Sequence, residues 1–284
     1  MYADDTSIII VDTDSNLEAT AFHTLEQLHE WFTSNGLFLN ARKTNFLIFH
    51  PKQKTIEPQY NLSINNTDLQ HPESVKFLGL DIDESLSWAE ACTNIASKLN
   101  RSCYLFRSLR DLLDFDTLKI VYFSEIESRL RYGILLWGTS GSAGKVLVAQ
   151  KRIIRTMAKV PYNEPCKPIY KRFKVLTVVN LYILEATCYI HGVKNNFPQN
   201  AHGHDTLMAR HTLRLTDTRN ASILLPRHTL HLTSMSPNIM GVKLYNRLPD
   251  RLKSLSARAF KRTIRSVLED NPLYNISDFF QLSI

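Results

Sequence analysis

Two adjacent carboxylates stand at the start of the sequence, in Met1-Tyr2-Ala3-Asp4-Asp5-Thr6, and a β-branched apolar run, Ile8-Ile9-Ile10-Val11, follows them directly. Successive strand residues point to opposite faces, so two consecutive acids crowd one site only on a tight turn. Carboxylates held that way suit a pair of hard divalent cations about 3.5–4 Å apart, which clamp the attacking and leaving oxygens of a phosphoryl transfer. The same pair is also what an ordinary polar turn carries. A second residue with chemical potential is Lys43, in the turn Asn40-Ala41-Arg42-Lys43-Thr44. A cation there suits a departing anionic group, and a solvated surface lysine is the plain alternative. Arg152 and Arg155 lie on a basic helical stretch and suit phosphate contacts, or a solvated helix face.

Around these residues the chain reads as alternating strands and helices, then mainly as helices. Asp12 to Asn16 supplies N-cap candidates for a helix whose apolar face is Leu17, Ala21, Leu25, Leu28 and Phe32, ended by Gly36. Short strands are expected at 8–11, 37–39 and 45–49, and a hairpin at 60–69 around Asn65-Asn66-Thr67. One further strand is expected over 75–83, with Gly79 allowing close backbone approach. From Trp88 the period becomes helical, with helices expected at about 88–109, 116–130, 145–159, 181–193 and 257–268. A loose polar stretch near 195–204 marks a boundary, and short strands are expected at 223–225 and 228–232.

Composition narrows the class. The 284 residues are 44% hydrophobic, enough to bury one or two cores. No apolar run approaches the roughly 20 residues of a bilayer span, and the first residues do not form a secretory signal. The 4 cysteines lack metal-site spacing and read as free thiols of an intracellular protein. His202, His204 and His211 have no cysteine partners and read as loop residues. Residues 1–140 hold 12 basic against 19 acidic residues, a formal −7, whereas 141–284 hold 22 against 8, a formal +14. A basic half joined to a carboxylate-bearing half suits a protein that meets a polyanion with one part and metal with the other.

The order of three stretches is more specific than any one of them. Tyr2-Ala3-Asp4-Asp5, then Gly36-Leu37-Phe38-Leu39-Asn40-Ala41-Arg42-Lys43-Thr44, then Lys76-Phe77-Leu78-Gly79-Leu80-Asp81-Ile82-Asp83 resemble palm motifs C, D and E of one family. This is the reverse transcriptase of non-LTR retrotransposons, most like the jockey-type elements. The resemblance continues through Gln150-Lys151-Arg152-Ile153-Ile154-Arg155, residues 176–185 and Gly241-Val242-Lys243-Leu244-Tyr245-Asn246-Arg247-Leu248-Pro249.

It implies an α+β fold: a partial polymerase palm of antiparallel strands plus a helix over 1–87, a helical thumb over 88–160, and a mainly helical C-terminal region over 161–284. It implies that Asp4 and Asp5 are catalytic metal ligands, that Tyr2 packs near the primer terminus, and that Lys43 assists at the departing pyrophosphate. Phe77, Leu78 and Gly79 then grip the primer, and Arg152 and Arg155 track phosphates. The implied partners are an RNA template and a DNA primer, with no membrane partner, and the implied site of action is the nucleus. Oligomeric state is not legible. The family's palm carries a further metal-binding Asp on an earlier strand, preceded by the fingers, whereas Met1 here abuts Tyr2. The resemblance therefore implies a truncated chain, inactive in isolation, with Mg²⁺ or Mn²⁺ expected only where the full palm site is present. The alternative is a non-catalytic nucleic-acid-binding remnant with salt-sensitive, sequence-tolerant affinity.

Overall fold

The computed structural model describes residues 6–51, 60–65, 67–194, 223, 225, 228 and 230–283. The chain divides into two compact units, 1–86 and 87–284. Together they give an α+β architecture, with two small antiparallel sheets in the first unit and helices throughout the second.

The first unit begins with α1, Leu17–Ser34. Its Ala21 is buried with Leu62, Ile64 and Leu69, and Ile10, Leu25, Leu39, Ala41 and Phe46 pack around them. Gly36, at φ +70°, ends the helix as expected: the Leu37 amide donates to Phe32 O at 2.9 Å, a closure that favours glycine. A single 3-10 turn, Ala41–Lys43, follows. The expected hairpin at 60–69 forms in shortened form as β1 (Ser63–Ile64) and β2 (Thr67–Asp68), with Asn65 at φ +49°.

Three expected strands are corrected. Residues 8–11 and 37–39 form no strand among the described residues, with Ile9, Val11 and Phe38 85–90% exposed. Residues 45–49 contribute one isolated parallel bridge, Asn45 to Gln70. Apolar β-branched sequence favours extension, but a strand exists only where a neighbour takes its backbone hydrogen bonds. The expected single strand over 75–83 is instead a hairpin, β3 (Ser74–Phe77) with β4 (Leu80–Asp83), paired Phe77 to Leu80. Its two-residue turn has positive φ at both Leu78 (+46°) and Gly79 (+83°), the geometry that matches strand twist in tight hairpins.

The second unit opens with α2 (Ala89–Leu109). Its inward stripe is Cys92, Ala96, Leu99 and Phe106, while Leu105 is 38% exposed. Asp114 caps α3 (Phe115–Tyr122) by accepting from the Thr117 amide at 2.9 Å. A π-helical turn, Phe123–Glu127, joins α3 to α4 (Ser128–Arg131), and α5 (Ile134–Trp137) follows Gly133. Then come α6 (Ala143–Ala158), α7 (Lys167–Phe173) and α8 (Val178–Val193).

Helix α8 is apolar around most of its circumference and is buried at Leu181, Tyr182, Ile183, Leu184, Ala186 and Ile190, as a central helix must be. The remaining elements are α9 (His231–Ser234), α10 (Pro237–Arg247), α11 (Asp250–Lys253), α12 (Ala257–Asp270) and α13 (Ile276–Phe280). Both α10 and α12 pack on α8. The short strand expected at 228–232 is not formed among the described residues. His231 instead begins a helical turn closed by Ser234 N donating to Leu230 O. Among the described residues no single helix is long and apolar enough to cross a membrane.

Candidate nucleic-acid interface

Helices α2 and α6 pack along much of their length and leave a groove of about 350 Å³ between them. From α2 it is lined by Thr93, Ala96, Ser97 and Asn100, and from α6 by Lys145, Val148, Ala149 and Arg152. Both sets follow the i, i+3, i+4, i+7 spacing of a single helix face. Small side chains at Ala96 and Ala149 let the helices approach. Polar residues of α2 position the cations of α6: Lys145 Nζ donates to Thr93 Oγ1 at 3.2 Å, and Arg152 Nη1 to Asn100 Oδ1 at 3.2 Å. Neither cation meets a carboxylate within ion-pair distance among the described residues. Seven helical residues separate them, or about 10.5 Å of axis.

Farther along the seam, burial pushes the Cys103 thiol up while Arg152 and then Arg107 pull it down, so both guanidiniums share its surroundings. Tyr104, the next residue of α2, is 74% exposed. A groove with uncompensated cations and hydroxyl and amide donors can hold phosphate oxygens without reading bases.

The residues singled out in the sequence fall in different places. Tyr2, Asp4 and Asp5 lie outside the described residues. Among the described residues, no group of three His, Cys, Asp or Glu side chains is arranged to hold a metal ion. Lys43 ends the 3-10 turn packed against β2, with its side chain exposed. Phe77, Leu78 and Gly79 form the tip of the β3–β4 hairpin, where Phe77 and Leu78 are 40% and 45% exposed. Arg152 and Arg155, three residues apart, take different neighbours. Arg152 turns to α2, whereas Arg155 Nε donates to Glu164 O at 2.8 Å and its guanidinium lies 5.3 Å from the Tyr162 ring centroid. Sequence reasoning missed Lys145, Thr93, Ser97 and Asn100. The signal for Lys145 was its seven-residue spacing from Arg152, but the polar residues of α2 carry no mark that distinguishes them from a solvated face.

Three relatives match the chain. The RNA-directed DNA polymerase from mobile element jockey of Drosophila melanogaster is 24% identical over 182 residues, covering 61% of this chain and 19% of that protein. The probable RNA-directed DNA polymerase from transposon X-element of the same fly is 22% identical over 154 residues, covering 52% of this chain and 17% of that protein. The jockey polymerase of Drosophila funebris is 24% identical over 182 residues, with 61% and 19% covered. The chain thus spans less than a fifth of the length of the curated relatives it matches. No protein-family model matches it, and no solved structure gives a significant match.

Proposed function

We propose that this chain is the part of a non-LTR retrotransposon reverse transcriptase that runs from the end of the palm through the thumb and on into the C-terminal region, and that it holds a template–primer duplex. The observation that carries the reading is the order of elements. An exposed two-residue hairpin at Phe77-Leu78-Gly79-Leu80 is followed at once by α2, which with α6 builds a basic groove. The jockey and X-element relatives supply the reaction class, RNA-directed DNA synthesis.

In this reading the hairpin tip rests on the primer strand, with Phe77 and Leu78 offering apolar contact to sugars. Lys145 and Arg152 meet successive phosphates, their aim set by Thr93 and Asn100. Lys43 is the cation proposed to meet the departing pyrophosphate. Divalent metal, when bound, polarises the reacting phosphate, and Asp4 and Asp5 are the proposed ligands. By the same resemblance polymerisation further uses a carboxylate on an earlier palm strand, so these 284 residues by themselves are expected not to extend a primer. Action in the nucleus belongs to the same reading.

The test uses the 284-residue chain with an RNA–DNA hybrid. Lys145→Gln/Arg152→Gln is expected to weaken binding and to reduce the slope of log K against log salt by about 1.8, two phosphates' worth. An unchanged slope would remove the groove from the interface. Primer extension on an RNA template with Mg²⁺ by this chain alone would refute the expected inactivity. A second reading, binding without catalysis, rests on the same groove. It is favoured if hybrid affinity is unaffected when Asp4 and Asp5 are both changed to Asn and Mn²⁺ binding is equal with and without them.

A further inference from the structure

Helix α6 presents a second basic face outside the groove. Lys151 and Arg155, four residues apart and so neighbours on one side of the helix, look onto the loop before α7 and onto Tyr274. Lys151 Nζ lies 3.5 Å from the Tyr274 ring centroid, and Lys167 Nζ, from the start of α7, lies 5.0 Å from the same centroid. The loop is pinned to the helix by the buried Cys166, whose thiol donates to Lys151 O at 3.8 Å, and by the Arg155 contact to Glu164 O.

Three cations therefore converge on one patch, and none meets a carboxylate within ion-pair distance among the described residues. Glu164 gives Arg155 its backbone carbonyl, not its carboxylate. Burial, and beyond it the charges of Arg155 and Lys167, pull the Lys151 ammonium below the usual lysine range, while Cys166 acts against them. Like charges crowded without a counterion are relieved by an anion from solution. At the edge of the patch Tyr162 is 70% exposed and backed by the Arg155 guanidinium. That leaves a planar, electron-rich platform beside a phosphate-binding surface.

We infer that this face of α6 is a second nucleic-acid site that takes a single strand, with phosphodiester oxygens on Lys151, Arg155 and Lys167 and one base stacked on Tyr162. The single strand is favoured over a duplex because only unpaired, splayed bases offer a free face to an aromatic ring. The inference rests on the proposed function in that both sites serve one nucleic acid, but it uses none of the groove residues.

The experiment is an anisotropy titration of the 284-residue chain with a labelled single-stranded RNA of about ten nucleotides and, separately, an RNA–DNA hybrid. Tyr162→Ala is expected to weaken the single strand roughly tenfold and leave the hybrid unchanged, whereas Tyr162→Phe keeps both. Lys151→Gln/Lys167→Gln is expected to lower the single-strand salt slope by about 1.4. Single-strand affinity that ignores Tyr162→Ala, or falls only with Lys145→Gln/Arg152→Gln, would overturn the second site while leaving the groove in place. A hybrid that never binds, with the single strand still lost in Tyr162→Ala, would overturn the groove and support the second site. Inorganic phosphate at matched ionic strength is expected to displace RNA no better than chloride, and selective displacement would mark a free-anion site and overturn the inference.

Discussion

Gln150 sits in α6 immediately before Lys151 and Arg152, yet its side chain is fully buried. Its Nε2 donates to the Tyr122 hydroxyl at 2.8 Å and to Leu176 O at 2.9 Å, and its Oε1 accepts from the Val178 amide at 3.0 Å. Val178 is the first residue of α8, where amides lack an intrahelical acceptor. One side chain thus ties α6 to α3 and to the start of α8. Gln150→Leu keeps the volume and removes all three bonds, stranding a buried hydroxyl, carbonyl and amide. At about 1–3 kcal/mol for each stranded group, less the gain from a more apolar side chain, the loss is about 3–5 kcal/mol.

Urea unfolding monitored by Trp88 and the buried Trp137, both in the second unit, in a Trp31→Phe background that silences the first, measures this directly. With a slope of roughly 2–3 kcal/mol/M the midpoint falls by about 1–2 M. Adding Tyr122→Phe removes one stranded group, so the double variant recovers about 1–2 kcal/mol relative to additivity. A midpoint loss under about 0.3 M, or strict additivity of the pair, would show that these groups find other partners and that Gln150 is not the bracket described.

Other perturbations test separate parts of the structure. His191 Nε2 faces Leu255 O at 3.0 Å and so carries the proton, leaving Nδ1 to accept from the Tyr245 hydroxyl at 3.1 Å. Burial, then the Lys194 charge, holds its pKa below the usual value, so the unfolded chain binds the proton first. Its stabilising contribution is complete above about pH 6.5 and is lost as pH falls toward the folded pKa; His191→Gln should flatten that slope in urea midpoints between pH 7 and 5. Leu78 adopts φ +46°, which costs a non-glycine residue roughly 1 kcal/mol, so Leu78→Asn should raise stability by about 0.5–1 kcal/mol in urea titrations. If the hairpin tip meets a primer, the same variant should weaken hybrid binding. A Cβ on Gly241 would stand 2.9 Å from Ile190 Cγ1 where α10 crosses α8, so Gly241→Ala should cost about 1–2 kcal/mol by thermal melting despite the better helix propensity of alanine.

How much of this was legible in the sequence differs between elements for physical reasons. Helices α2, α6, α8 and α12 follow from period alone, because a helix satisfies its backbone internally and needs only an apolar face to dock. The runs at 8–11, 37–39 and 45–49 look like strands by composition, but strand formation depends on a partner whose position no local pattern specifies. The β3–β4 hairpin was hidden because Leu78-Gly79 lacks the Asn-Gly or Asp-Gly signature, so only the glycine stood out and the leucine at positive φ did not. The similarity of the chain to jockey and X-element polymerases was legible in the order of its motifs, and the relatives bear that similarity out.

The candidate sites were legible as charges and not as geometry, and α6 shows why. At 100° per residue, three consecutive positions, Gln150, Lys151 and Arg152, point in three directions. Their environments follow from that angle alone: Gln150 enters the core, Lys151 meets Tyr274, and Arg152 meets Asn100 on α2. A charge count sees one basic helix, whereas the fold turns Arg152 to α2 and Lys151 to Tyr274, with Gln150 buried on the side away from both. Because Gln150 is held by three bonds, it fixes the rotation of α6 about its own axis, and through that rotation the aim of both faces. Loosening Gln150 should therefore blur nucleic-acid binding at the groove and at Lys151 together, while loss of Lys145 or Tyr162 should affect one face alone. Gln150→Leu at a temperature where the second unit stays folded separates these effects: parallel losses at both faces support the shared pivot, and a loss at only one would refute it.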